Sequence, residues 1–489
     1  MALAGFRGGV FLRDSNDDIR IYMRGRLHLD FHAFGGAGVG DLPASDGGTL
    51  LTPRFFARRA RLEVAAELFR RWFALFGVDS GGQPITNPTS AEELAAAPPG
   101  QAPTAASARY APLQTVGATA VLANVYIDYT ILGPFHLMLG QIQSPFSMEN
   151  RTGNNTHSWM ERTLPIRAFV VPNSKEIGAT LWGDWNSRKS FSYELGLYSG
   201  DGPNRPQVDA YPDFIGRIVA RPFASPDKPG KLDKMHVGLS VQRGARDPKY
   251  VGYDYPAITT GQGFTLWDPR YRDQNGHLVR VLPSGSQFRF GGELRLPVDR
   301  YELRAEAYWV NNGTRESLDG QALAYTERLG AVKGVGWYVQ LSAWPFGDPF
   351  VNGDPGYWRP PRLDLSNEAA STKTKSEMEM RGLELLALAA GVQGEYDGAS
   401  RGGVYDAKTP GGPGGATKNL SIVQLGLGAT YWYTSFVRLS VNYLAYHTPG
   451  SDSGDNLALV PGNLLKDKSN PARSATWMHE VGGRMAVSF

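Results

Sequence analysis

Arginines recur in this chain at a spacing of two residues. Arg24 and Arg26 form one such pair and Arg59 and Arg61 another, and Arg20, Arg438 and Arg484 sit in segments of the same character. A guanidinium keeps its charge at any working pH and presents a planar fork of donors. The chemistry on offer is reversible recognition of oxyanions, not bond making. The cation balance points the same way, with 37 Arg against 13 Lys. A second set, Asp128, Glu176 and Glu194, carries the opposite charge on segments with no Arg of the same parity.

Residues for catalysis or metal binding are not assembled. No HExxH or P-loop pattern occurs. Asp14, Asn16 and Asp18 match the first, third and fifth positions of a calcium loop, but Ile19 replaces the turn glycine and Gly25 the bidentate glutamate, so a solvated N-terminal turn is expected. His28 and His32 share one face without a third ligand and read as polar wall residues. The absence of cysteine excludes disulfides, Cys zinc sites and thiol catalysis. A net charge of +3 gives no reason to expect nucleic acid. The expectation is a protein that is not an enzyme and has no cofactor and no metal.

The elements that position the charges follow a period of two. In Ile19–Phe34 the residues Ile19, Ile21, Met23, Leu27, Leu29 and Phe31 take one face, and Arg20, Arg24, Arg26, His28, Asp30 and His32 the other. Sixteen segments read as strands: about 19–34, 55–67, 71–80, 119–130, 135–143, 174–184, 190–199, 213–222, 234–243, 287–296, 301–311, 333–345, 377–394, 418–432, 436–446 and 477–489. The third and thirteenth alternate poorly, and Leu386 and Leu388 fall on the polar parity. The 489 residues include 59 Gly and 33 Pro, concentrated between strands, and no apolar run of 18 residues, which rules out a helical membrane span.

Connection lengths add an independent signal. They are long after odd strands and mostly short after even ones, at 68–70, 131–134, 185–189, 297–300 and 433–435. Short periplasmic turns and long outer loops are the pattern of a transmembrane barrel, and a soluble sandwich has no reason to alternate so. The connection 346–376 breaks the rule. The expected fold is all-β: a transmembrane antiparallel β-barrel of about sixteen strands over 19–489, with 1–18 a periplasmic N-terminal segment. Ala2-Leu3-Ala4 has the small-x-small form of a cleavage site with no apolar stretch before it, which reads as numbering that starts near a mature N-terminus.

Parity assigns twelve Arg and eleven acids to the lumen. In a closed barrel strands 15, 16, 1 and 2 are neighbours, and their wall holds Arg20, Arg24, Arg26, Arg59, Arg61, Arg438 and Arg484 against four acids. Strands 4 to 7 hold Asp128, Glu176 and Glu194 and no inward Arg, an opposing acidic wall. Arg58 has lipid-side parity and is expected to snorkel at the interface. The Gly/Pro/Ala-rich connection 81–118, with Glu92, Glu93 and Arg109, is the candidate for a pore-constricting loop; an exposed outer loop is the alternative. The aromatic-rich connection 244–286 reads as an outer cap or a surface for a partner.

Several stretches carry a resemblance. FFARRARLEV at 55–64, LGQIQSPFSME at 139–149, GATLWG at 178–183, ELGLYSG at 194–200, GWYVQLS at 336–342 and LGLGATYW at 425–432 are similar, in this order, to segments of the phosphate-selective porin O/P family. Arg59 aligns with the second arginine of that family's RRA motif. The final strand, VGGRMAVSF, ends on Phe489 and resembles the terminal signal of bacterial outer-membrane proteins. The resemblance implies a sixteen-stranded homotrimeric channel in the lipid of the bacterial outer membrane, often anion-selective. One departure is that 81–118 lacks the lysine cluster of phosphate-specific members; its one cation is Arg109. The expected function is passive diffusion of small hydrophilic solutes with a weak to moderate anion preference. A barrel that serves as scaffold or receptor for a protein or lipoprotein at its outer loops is the alternative.

Overall fold

Every strand expected from the period of two is present in the computed structural model. It describes residues 3–6, 9–36, 53–81, 120–170, 174–205, 207, 209–224, 230–247, 253–262, 265–267, 271–272, 278–318, 329–349, 354–361, 381–397, 420–448 and 477–489. The wall consists of β1 (Ile19–Gly35), β2 (Arg54–Leu68), β3 (Trp72–Asp79), β4 (Val121–Leu132), β5 (Phe135–Gln143), β6 (Lys175–Trp185), β7 (Phe191–Tyr198) and β8 (Asp213–Ala220). It continues through β9 (His236–Arg246), β10 (Leu278–Val298), β11 (Tyr301–Leu318), β12 (Leu329–Phe346), β13 (Gly382–Asp397), β14 (Leu420–Trp432), β15 (Val437–His447) and β16 (Trp477–Ser488).

Each strand pairs antiparallel with its sequence neighbours, and β16 pairs with β1, from His479↔Gly35 to Ser488↔Arg26. The sheet closes with sixteen strands and has no lipid-exposed edge, as an apolar surround demands. Outward positions are apolar and uncovered, for example Leu29, Leu62, Leu427 and Val441. Inward positions are polar and buried, for example Arg217, Arg295 and Arg484. No helix among the described residues is long and apolar enough to cross a membrane; the chain crosses with strands.

The seam is completed by the chain ends. Phe489 exchanges backbone hydrogen bonds with Gly25, at 2.6 and 2.9 Å. Below that point Val10–Arg13 pairs with β1, from Val10↔Met23 to Arg13↔Arg20, and Leu3–Phe6 pairs with Val10–Arg13. These two short strands lie within 1–18 and extend the sheet beside β1, past the end of β16.

The interior is filled from both ends. The connection 144–174 carries the helix α1 (Leu164–Phe169). Leu164, Ala168 and Phe169 pack with Tyr255, Ile258, Leu266 and Trp267 of the β9–β10 connection and with inward Val281, Val310, Val332, Val392 and Ile422.

Candidate functional site

The connection 144–174 crosses the lumen because its own polar groups find partners on the wall. Met148 and Glu149 donate backbone N–H groups to Glu306 of β11, at 2.9 and 2.7 Å. Trp159 Nε1 donates to Gln340 of β12 at 3.0 Å, and the Leu164 amide to Gln424 of β14 at 2.9 Å. Inside the insert Glu149 accepts from the Thr163 amide at 2.8 Å and contacts His157 at 3.0 Å, which braces the turn before α1. Apolar side chains Phe146, Met148, Trp159 and Met160 are all buried.

Arginines anchor the same insert. Glu161 accepts from Arg58 at 3.1 and 3.2 Å, from Arg59 at 3.3 Å and from Arg484 at 2.7 Å. Burial alone pushes the Glu161 carboxyl up, but Arg58, Arg59 and Arg484 together hold it well below the usual carboxylate range. Arg438 donates to the carbonyls of His157 and Asn154, at 2.8 and 2.9 Å. Arg484 also holds Asp30 through two bonds, at 2.6 and 2.7 Å. The lipid-side expectation for Arg58 is corrected. The register steps from His28↔Arg59 to Leu29↔Ala57, so Arg58 is the extra residue of a β-bulge. The bulge flips the parity of β2 and turns Arg58 and Arg59 inward together.

A second insert enters from the short-turn end. Residues 354–361 belong to the β12–β13 connection, the one that breaks the length rule. Asp354 pairs with Arg221, the residue after β8, and with Arg295 of β10. Arg217 donates to the Gly356 carbonyl at 2.7 Å. Arg359 pairs with Asp184 of β6 and, at 2.6 Å, with Glu194 of β7. The two inserts meet: the Gly356 amide donates to Thr152 at 2.9 Å, and Arg151 donates to the Trp358 carbonyl at 3.1 Å.

The inserts bond to the wall along β6–β16, and Phe146, Ile166 and Val170 of the first and Trp358 of the second also pack with Tyr22 of β1, Phe73 of β3 and Tyr126 of β4. A charged patch lies on β1, β2, β3 and the start of β6. There Arg26 sits directly across from Arg61, and Arg24 across from Glu63. Arg26 approaches Glu63 at 3.4 Å, and Arg61 pairs with Asp79 at 2.8 Å. Lys175, at the first position of β6, lies within electrostatic reach of Arg26, Arg61, Glu63 and Asp79. Neither Arg24 nor Lys175 has an ion-pair partner within 4 Å among the described residues. This patch carries three guanidiniums, Arg24, Arg26 and Arg61, and the amine of Lys175, against two carboxylates, Glu63 and Asp79.

The other expected residues are distributed differently. Arg20 lies at the short-turn end and bonds Asp17 at 2.8 Å. In the acidic wall, Asp128 accepts from Trp182 at 2.7 Å, Glu176 from the Gly202 amide at 3.1 Å, and Glu194 is enclosed by arginines. Glu92, Glu93 and Arg109 of the 81–118 connection lie outside the described residues. The sequence reading did not single out Lys175, Glu161, Arg151 or the two inserts. A signal existed: the 144–174 connection is long and rich in Trp, Met and Phe, and 346–376 is long where a short turn belongs.

Comparison with known proteins follows this geometry. Similar structures include OmpT, an outer-membrane protein of Vibrio cholerae, at 9% identity over 97% of this chain and 98% of that one, with a TM-score of 0.47. The outer-membrane channel DcaP of Acinetobacter baumannii is 11% identical over the whole of both chains, with a TM-score of 0.45. OmpF of Salmonella typhi, in complex with daunomycin, is 9% identical over 97% and 99%, with a TM-score of 0.47. No curated protein matches the sequence. The family described as phosphate-selective porin O and P matches residues 23–349, about two thirds of the chain. With the closed sixteen-stranded wall and the inserts that narrow it, this identifies the chain as a member of the phosphate-selective porin O and P family, an outer-membrane β-barrel channel for small solutes.

Proposed function

We propose that the channel passes small hydrophilic solutes by passive diffusion, with a preference for anions set on the wall of β1, β2 and the start of β6. The observation that carries this reading is the excess of guanidiniums over carboxylates there. Arg24, Arg26, Arg61 and Lys175 face Glu63 and Asp79, and neither insert supplies a further carboxylate to hydrogen-bond with Arg24, Arg26 or Arg61 among the described residues. A confined, low-dielectric passage strengthens such a field over its value at an open surface. Arg59, Arg438 and Arg484 serve another purpose in this reading, holding the 144–174 insert.

The test is the reversal potential across a planar bilayer under a salt gradient. The wild type should favour anions, and the combined replacement of Arg24, Arg26, Arg61 and Lys175 by Gln should lower that preference with the barrel still folded. An unchanged reversal potential would show that these four are ordinary wall residues. The filling of the lumen by two inserts favours a second reading, a scaffold or receptor barrel with a narrowed pore. Co-purification with another chain and absence of conductance steps would support it. The channel is further proposed to act as a homotrimer in outer-membrane lipid, on the strength of its family; mass measurement in several mild detergents checks this.

A further inference from the structure

Among the described residues one wall side chain is paired with both inserts. Glu194 of β7 is 1% exposed. Its Oε1 accepts from Arg359 Nη1 of the 354–361 insert at 2.6 Å. Its Oε2 lies 2.8 Å from Arg151 Nε of the 144–174 insert, an ion pair by distance although the N–H is not aimed at the oxygen. Arg217 of the adjacent strand stands 3.8 Å away. The other anchors are divided: Arg58, Arg59, Arg484 and Glu306 hold only the first insert, and Arg221 and Arg295 only the second.

We propose that Glu194 is a positioning residue that sets the bore of the channel by holding both inserts against one wall. The reason is the arrangement of charge around it. Without the carboxylate, three guanidiniums would be left facing one another in a buried site. Arg359 would keep Asp184 and Arg217 would keep Glu293, at 2.5 Å. Arg151 has no other carboxylate partner among the described residues; its remaining bonds go to the carbonyls of Gln143 and Trp358. Repulsion would therefore fall on Arg151 and, through Thr152–Gly356 and Trp358, on the contact between the inserts. This inference rests on the channel reading above.

The experiment measures single-channel conductance of the full chain in planar bilayers. Glu194→Gln should lose the steady single level of the wild type and show larger, flickering openings. Glu194→Asp should keep the steady level for most of the record. A tether supplies a readout that a merely structural role would not move. A Cβ built at Gly356 lies 3.5 Å from the Met148 Cα and 2.9 Å from its Cγ, so Met148→Cys with Gly356→Cys places two thiols within bridging reach, at the cost of a strained side chain at φ +81°, in a chain that has no other cysteine. In the Glu194→Gln background the oxidised tether should restore the steady level and reduction should abolish it.

A folded Glu194→Gln barrel with an unchanged steady level would overturn the proposal. Should that variant not fold, Arg359→Gln removes the same bond from the insert side, and an unchanged level there would overturn it equally. A silent wild type with a conducting Glu194→Gln variant would support the inference and sink the reading of an open passive channel. Silence in both would end both.

Discussion

Arginine at the residue scale does two jobs here, and the position of the counter-charge separates them. Arg58, Arg59 and Arg484 converge on the one carboxylate of Glu161 and become the fastening of an insert. Arg24, Arg26 and Arg61 meet fewer carboxylates and, in the proposed reading, act as a field. Breaking a buried pair from one side leaves charges uncompensated, at a cost of about 3–5 kcal/mol. Glu161→Gln is therefore expected to destabilise the folded barrel by roughly that amount, read as a lower midpoint in heat-modifiable gel mobility. The pH dependence has a definite sign. A depressed carboxyl contributes stability that is present above its unfolded value, about 4.3, and that is lost as pH falls through the folded value. Because the Glu161 carboxyl is held well below the usual range, the fastening should persist from neutral pH to about pH 4 and loosen only in stronger acid. Conductance recorded across that range checks this; loosening that begins near neutral would assign the effect to another group.

At the scale of elements the alternation of faces made the wall legible. All sixteen strands lie where the period of two places them, because lipid on one side and water or polar inserts on the other impose that period. What fills the wall was only half legible. Leu386 and Leu388, out of pattern for a watery lumen, are buried with Trp159 and Tyr338, so an apolar residue on the inner parity marks a place where an insert covers the wall. The bulge at Arg58 left no mark in the sequence, since a one-residue register shift depends on both partner strands. The insert 354–361 announced itself only as a misplaced length; its ion pairs join residues far apart in sequence, such as Arg359 with Asp184. The seam offers a prediction at this scale. A Cβ at Gly25 would lie 2.2 Å from the Phe489 ring, so the C-terminal ring rests where any side chain on β1 would stand. Gly25→Val is expected to displace Phe489 and lower the yield of folded barrel in refolding from denaturant. A yield equal to wild type would mean that the terminal ring can shift without cost.

At the scale of the whole molecule, selectivity is a matter of where the inserts leave room. The first insert bonds to β2, β5, β7, β9 and β11–β16, the second to β6–β8 and β10, and in the proposed reading Arg24, Arg26 and Arg61 keep their charges for the passage. The field there acts at short range. Its reach is governed by the Debye length, about 30 Å at 0.01 M salt and about 3 Å at 1 M. At low salt the patch of Arg24, Arg26, Arg61 and Lys175 should influence an ion across the full width of the narrowed lumen, and at 1 M only an ion in near contact. The ratio of anion to cation permeability is accordingly expected to be largest in dilute salt and to fall toward that of free ion mobilities as salt rises. Replacing Arg24 alone by Gln should remove part of the low-salt preference and leave the high-salt value almost unchanged, because a single charge without an ion-pair partner among the described residues acts through the field and not through a bound site. Reversal potentials at a series of salt concentrations decide the matter. A preference that does not decline with salt would point to a desolvated binding site that holds the anion by direct bonds, and the arginine wall would then have to be read as a ligand shell and not as a field.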